Sequence, residues 1–150
     1  FNAMNAYERI ITSHMVRQRV GQYLLCTKNP ERMGEWIKKY PPNLVIGITL
    51  ESDVTPNLRQ RADNFHCIDW DAKLVSVEPI LDFRDEGLLT WLLRINPQEV
   101  QIGYDNWNNS LDEPPLAKTL ELIAKLREAG IVVKEKTLRK SWKEISEAKS

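Results

Sequence analysis

Leu44-Val45-Ile46-Gly47-Ile48-Thr49-Leu50-Glu51 decides the fold. Seven residues without a charge, rich in branched side chains and closed by an acid, are too short for a core helix and read as a buried strand. Working outward, the same form recurs in Gln22–Thr27, Lys73–Pro79, Val100–Tyr104 and Ile131–Lys136. Between these runs the period changes to that of helices. Asn29-Pro30-Glu31 and Thr55-Pro56 each put a capping side chain ahead of a proline at the first helical position. Met33, Trp36, Ile37 and Tyr40 make one apolar stripe, and Leu88, Leu92 and Ile95 a second. A third, Leu116, Leu120, Ile123 and Leu126, stops at Gly130, and Ser141 with Glu144 reads as a capping box for a last short helix. Tyr7, Ile10, Ile11 and His14 set a helical pattern over residues 5–19, ahead of the first strand.

Strand, helix, strand at these spacings is the βαβ rhythm, which dictates parallel strands and right-handed crossovers. A closed eight-stranded barrel needs about 250 residues and is excluded by the 150 present. Alternation decides between the remaining architectures. If Glu51 faces inward, so do Thr49, Gly47 and Val45. The same count groups Glu78 with Ser76, Asp105 with Gly103 and Gln101, and Lys136 with Lys134 and Val132. That face is mixed, whereas Leu44, Ile46, Ile48, Leu50, Val75 and Val77 suit a helix layer. A doubly wound sheet is apolar on both faces. The expected fold is therefore α/β: a partial, incomplete parallel βα barrel of about five strands, with helices on the outer face and an N-terminal helix before it. Phe1-Asn2-Ala3 ahead of Met4 reads as the scar of an expression tag, leaving residues 4–150 as one domain.

Twenty-one Lys and Arg against twenty-one Asp and Glu leave no global positive field, so neither nucleic acid nor an anionic membrane is the expected partner. No run of about 18 apolar residues offers a membrane span. Two cysteines, Cys26 and Cys67, build no disulfide framework, and the reducing cytoplasm is the expected compartment. Cys26 alternates with Lys28, which places it either on the inner face or, as with most lone strand cysteines, in the core. His66, Cys67, Asp69 and Asp71 match no metal-ligand spacing, so no metal is assigned. Neither a phosphate-binding glycine loop nor a nucleophile motif occurs.

Parallel α/β folds place their sites at the C-terminal ends of the strands. There this sequence carries Thr27-Lys28-Asn29, Glu51, Glu78, Asp105-Asn106 and Lys136. These eight residues are the expected lining of a polar small-molecule site, since such polarity is costly to bury without a ligand or partner. Glu78 is the choice for a general acid or base. Asp105-Asn106-Trp107-Asn108-Asn109-Ser110 is a polar loop whose aromatic either stacks on a base or sugar or is plain turn chemistry. Lys134, Lys136, Arg139, Lys140 and Lys143 make the C-terminal stretch locally basic, diluted by Glu135 and Glu144.

Three runs resemble the later part of a phage-associated family of radical S-adenosylmethionine-like proteins of unknown function. They are Leu24-Leu25-Cys26-Thr27-Lys28-Asn29-Pro30-Glu31-Arg32-Met33, Val45–Glu51, and Leu74-Val75-Ser76-Val77-Glu78-Pro79-Ile80-Leu81. Thr-Lys-x-Pro-Glu-Arg and Ser-x-Glu-Pro are the specific parts; Lys136 matches more loosely. The resemblance implies a partial barrel in which S-adenosylmethionine lies across the strand ends beside an iron–sulfur cluster. It also implies that this chain is the part without the cluster, because the family's C-x3-C-x2-C motif has no counterpart here and Gly103-Tyr104-Asp105 stands where relatives show Gly-Gly-Glu. The expected function is thus a barrel portion without cofactor ligands of its own, binding a small polar ligand and not catalytic alone. The alternatives are an interaction module that self-associates or completes a barrel with a separate chain, and a nucleic-acid-associated phage protein.

Overall fold

A computed structural model describes residues 10–15, 17, 21–37, 42–54 and 56–148. The expected tag scar, most of the flanks of the N-terminal helix, Tyr40 and the Thr55 cap lie outside the described residues. Residues 10–15 and 17 are helical, as the N-terminal pattern requires.

Five strands follow: β1 Tyr23–Thr27, β2 Leu44–Thr49, β3 Lys73–Val77, β4 Glu99–Ile102 and β5 Val132–Glu135. They alternate with α1 Pro30–Trp36, α2 Pro56–His66, α3 Gly87–Ile95, α4 Leu116–Glu128 and α5 Trp142–Glu147. Four strands match their expected runs trimmed by a residue or two at the ends, and β4 also ends two residues early but begins one residue earlier than expected, at Glu99. The Asn29 side chain accepts the Arg32 N–H to start α1, and Ser141 with Glu144 forms the capping box of α5. Left-handed Asn96 stops α3, and Gly130, at φ +83°, follows α4.

All four strand pairings are parallel and the order is β1-β2-β3-β4-β5. An order that never reverses has no switch point, so right-handed crossovers put every connecting helix on one side. The helices pack in sequence, α1 on α2, α2 on α3 and α3 on α4. The fold is the α/β partial barrel expected, with the helix layer outside.

Burial separates the two faces. Leu44, Ile46 and Ile48, Val75 and Val77, Val100 and Ile102, and Val133 are buried under the helices with Leu88, Leu92, Ile95, Ile123 and Leu126. Lys73 joins this face, its ammonium donating to the His66 carbonyl and lying over the Phe65 ring; desolvation lowers its pKa. On the other face the register aligns Cys26, Gly47, Leu74, Glu99 and Val132 in one row and Thr49, Ser76, Gln101 and Lys134 in the next. Among the described residues no second layer covers this face: Leu24 is 53% and Val132 61% exposed.

Two expectations change. Leu120 is exposed instead of joining the α4 stripe, because Thr119 and Leu122 take the inward positions and the Thr119 hydroxyl is bonded to buried Tyr104. Cys26 is exposed rather than core. It stands on the open face over Gly47, where partial desolvation raises its thiol pKa and disfavours the reactive thiolate.

Candidate functional site

Two residues past the Thr49–Ser76–Gln101–Lys134 row, the same register carries Glu51, Glu78, Gly103 and Lys136 to the C-terminal lip of the open face. Backbone bonds extend the ladder there, from Gly103 N–H to the Val77 carbonyl and from Lys136 N–H to the Ile102 carbonyl. Gly103 is the seat of this row. A Cβ on it would lie 2.8 Å from the Lys136 Cβ and 3.4 Å from the Glu78 carboxyl carbon. Only glycine admits this close approach, so the Glu78 and Lys136 side chains meet over the Gly103 backbone. Glu78 is half-buried and Lys136 exposed. Among the described residues, neither side chain makes a hydrogen bond or ion pair.

The other expected lining residues have partners. Glu51 is held between Lys28 Nζ at 2.7 Å and Arg61 Nη1 at 3.2 Å, and Arg61 also donates to the Thr49 carbonyl. Lys28 and Glu51 therefore reach the lip as a pair, beside Glu78 but already neutralised. Thr27 lies in the row of Ile48, which turns it to the helix side, and its hydroxyl accepts the Asn29 N–H. Asn29 is spent on capping α1. Asp105 is buried and its carboxylate accepts the Asn109 backbone N–H at 2.7 Å and side-chain Nδ2 at 2.9 Å. The Asn109 N–H above all holds the Asp105 carboxyl below the usual carboxylate range. Asn106 accepts from the Thr137 hydroxyl. The lip thus brings Glu51, Glu78, Lys136 and Lys28 together, and uses Thr27, Asn29, Asp105 and Asn106 to shape its loops.

The neighbouring loops carry polar networks that motif reading missed. Buried Asp53 accepts the Arg84 backbone N–H and Nε, both at 2.8 Å, and the Ser52 hydroxyl donates to the Asp82 carbonyl. Lys118 bonds Asp82 and the Phe83 carbonyl and lies over the Phe83 ring. Buried Glu113 takes two bonds from Arg139, one from the Asp105 N–H and one from the Trp142 N–H. The Arg139 guanidinium stacks 4.3 Å from the Trp142 ring. Arg139, of the basic C-terminal stretch, is therefore structural. These partners sit about 30 residues apart in loops, where no periodic signal could announce them.

The arrangement can take a donor or cation at Glu78 and an acceptor or anion at Lys136, with the Thr49, Ser76 and Gln101 side chains below as further hydrogen-bonding groups. At the other end of the open face is a cavity of about 300 Å³ with Leu24, Val45, Leu74, Glu99 and Val132 in its lining. Among the described residues, no group of three metal-ligating side chains converges, and no helix is long and apolar enough to cross a membrane. Comparison with protein-family models, with curated proteins and with solved structures found no match to this chain.

Proposed function

We propose that this chain is a radical-S-adenosylmethionine-like partial barrel without its own cluster ligands, whose open lip binds a small zwitterionic ligand between Glu78 and Lys136. The observation that carries the reading is the Gly103 seat, flanked by an acid and an amine that have no partner among the described residues. Unpartnered polar groups at the strand ends of a parallel α/β fold are where a ligand completes the hydrogen bonding. The resemblance implies two groups, and the residues present treat them differently. An iron–sulfur cluster does not fit: the two cysteines stand on β1 and after α2, and among the described residues no third ligand joins either. S-adenosylmethionine fits in its amino-acid part, whose ammonium suits Glu78 and whose carboxylate suits Lys136. When bound it supplies an electrophilic sulfonium; the chain's own contribution is to hold and orient it. Glu78 is also the residue placed to accept or return a proton.

Calorimetric titration of the folded protein with S-adenosylmethionine and with methionine tests the reading. Heat with both, abolished in Glu78→Gln and in Lys136→Met, supports it; absence of heat with either ligand removes it.

A second reading rests on the exposed edge and face. Among the described residues β1 pairs only with β2; it carries no charge along Tyr23–Thr27 and presents Leu24 and Cys26 outward, whereas β5 at the other edge carries Lys134 and Glu135. An uncharged edge is a template for another chain, so an interaction module that self-associates or completes a barrel is the alternative. Light scattering across concentration tests it. A mass above the monomer that reverts in Leu24→Glu supports this reading, and a monomer throughout opposes self-association.

A further inference from the structure

Trp107 is the most exposed large apolar side chain among the described residues, at 84%. Its loop is not slack. The Asp105 carboxylate accepts the Asn109 N–H and the Asn109 side-chain amide. Asn108 and Ser110 adopt φ of 50° and 56°, left-handed conformations that are disfavoured for residues other than glycine. A loop fixed at this expense holds the indole in water, although burying it would be favourable. Its surroundings are polar: Asn106, Asn108, Asn109 and Ser110 are all exposed. An indole beside a free amide suits a planar ring with a hydrogen-bonding edge. The Asn108 amide has no partner among the described residues.

The segment from Lys136 to Lys140 runs along this loop. The Tyr104 N–H donates to the Thr137 carbonyl, the Thr137 hydroxyl to Asn106, and Arg139 Nη2 to the Asp105 carbonyl. The acids Asp105 and Glu113 are engaged by these internal bonds, and Lys136 and Lys140 are exposed at the two ends of the segment that runs along the loop.

We infer that this corner is a nucleotide site: Trp107 stacks the base, Asn108 meets its edge, and Lys136 with Lys140 take the phosphate. The site is independent of the zwitterion reading except that both use Lys136. Base and phosphate together arrive either as a free nucleotide or within a single strand, and the test separates these sources.

The full chain is titrated at low ionic strength with adenosine monophosphate, adenosine, ribose 5-phosphate and a short oligothymidylate. Adenosine monophosphate should bind more tightly than either of its parts. Trp107→Ala should weaken it about tenfold or more while leaving ribose 5-phosphate unchanged, since base stacking on an aromatic accounts for that factor. Lys136→Met with Lys140→Met should reduce it to the level of adenosine. Tighter binding of the oligomer than of the mononucleotide marks a strand as the source, and the reverse marks a free nucleotide. Trp107 is solvent-exposed, so its replacement does not threaten folding. Equal affinity of Trp107→Ala and wild type for adenosine monophosphate, or no binding of any nucleotide probe, would overturn the inference. That failure would leave the methionine titration, and with it the zwitterion reading, untouched.

Discussion

Two corners of one lip, built at the ends of adjacent strands, spend their charges in opposite ways. Around Arg139 every charge is used: Glu113 receives four hydrogen bonds from three residues, and the guanidinium rests on the Trp142 ring. Around Gly103, one strand position away, Glu78 and Lys136 pack over the glycine and have no partner among the described residues. The first corner is stability and the second is capacity. On the proposed reading, the neighbouring acid and amine are left unpaired for a ligand to complete.

Mutations can break this contrast, and the largest effect belongs to the closed corner. Glu113→Ala strands a half-buried arginine and two backbone N–H groups and should cost about 3–5 kcal/mol in denaturant unfolding. The two faces of the sheet sharpen the same comparison. Leu92→Ala under the helices should lose about 2–5 kcal/mol, while Leu24→Ala on the open face should stay within about 0.5 kcal/mol. Tyr104→Phe leaves the Thr119 hydroxyl and the Pro114 carbonyl in a buried pocket with one partner fewer and should cost about 1–3 kcal/mol.

Acid supplies a graded test of the closed corner. Backbone N–H groups of Ser141 and then Leu116 hold Glu144 below its ordinary value, as that of Asn109 does for Asp105. Groups depressed in the folded state stabilise it above their unfolded pKa, near about 4, and lose that contribution as pH falls through the folded values. The thermal midpoint should therefore drop below about pH 4, and Asp105→Asn should flatten part of the drop. Smallest of all, Glu78→Gln and Lys136→Met should move the unfolding midpoint hardly at all, because neither side chain has an internal bond to lose.

The fold was legible because alternation and helical stripes report which side of an element is buried. The Leu44–Glu51 run alone separated the helix-facing row from the open one. Leu120 shows where that signal fails, since Thr119 turned inward to satisfy Tyr104 and displaced the apolar period. Of the site, the row Glu51, Glu78 and Lys136 was readable from strand parity. Thr27 was not, because parity puts it opposite Lys28, and Asp105 sits where the ladder has given way to a loop. The Glu113–Arg139 and Asp53–Arg84 networks left no trace in spacing, since their partners meet only once the sheet has assembled.

The central claim is that the open lip around Gly103, and not the helix-covered face, receives a zwitterionic ligand. Chemical-shift mapping of the labelled protein during titration with S-adenosylmethionine tests it most directly. The account predicts shifts confined to the C-terminal ends of β3, β4 and β5, centred on Glu78, Gly103 and Lys136. Shifts spread over α1–α4, or none at saturating ligand, would contradict it.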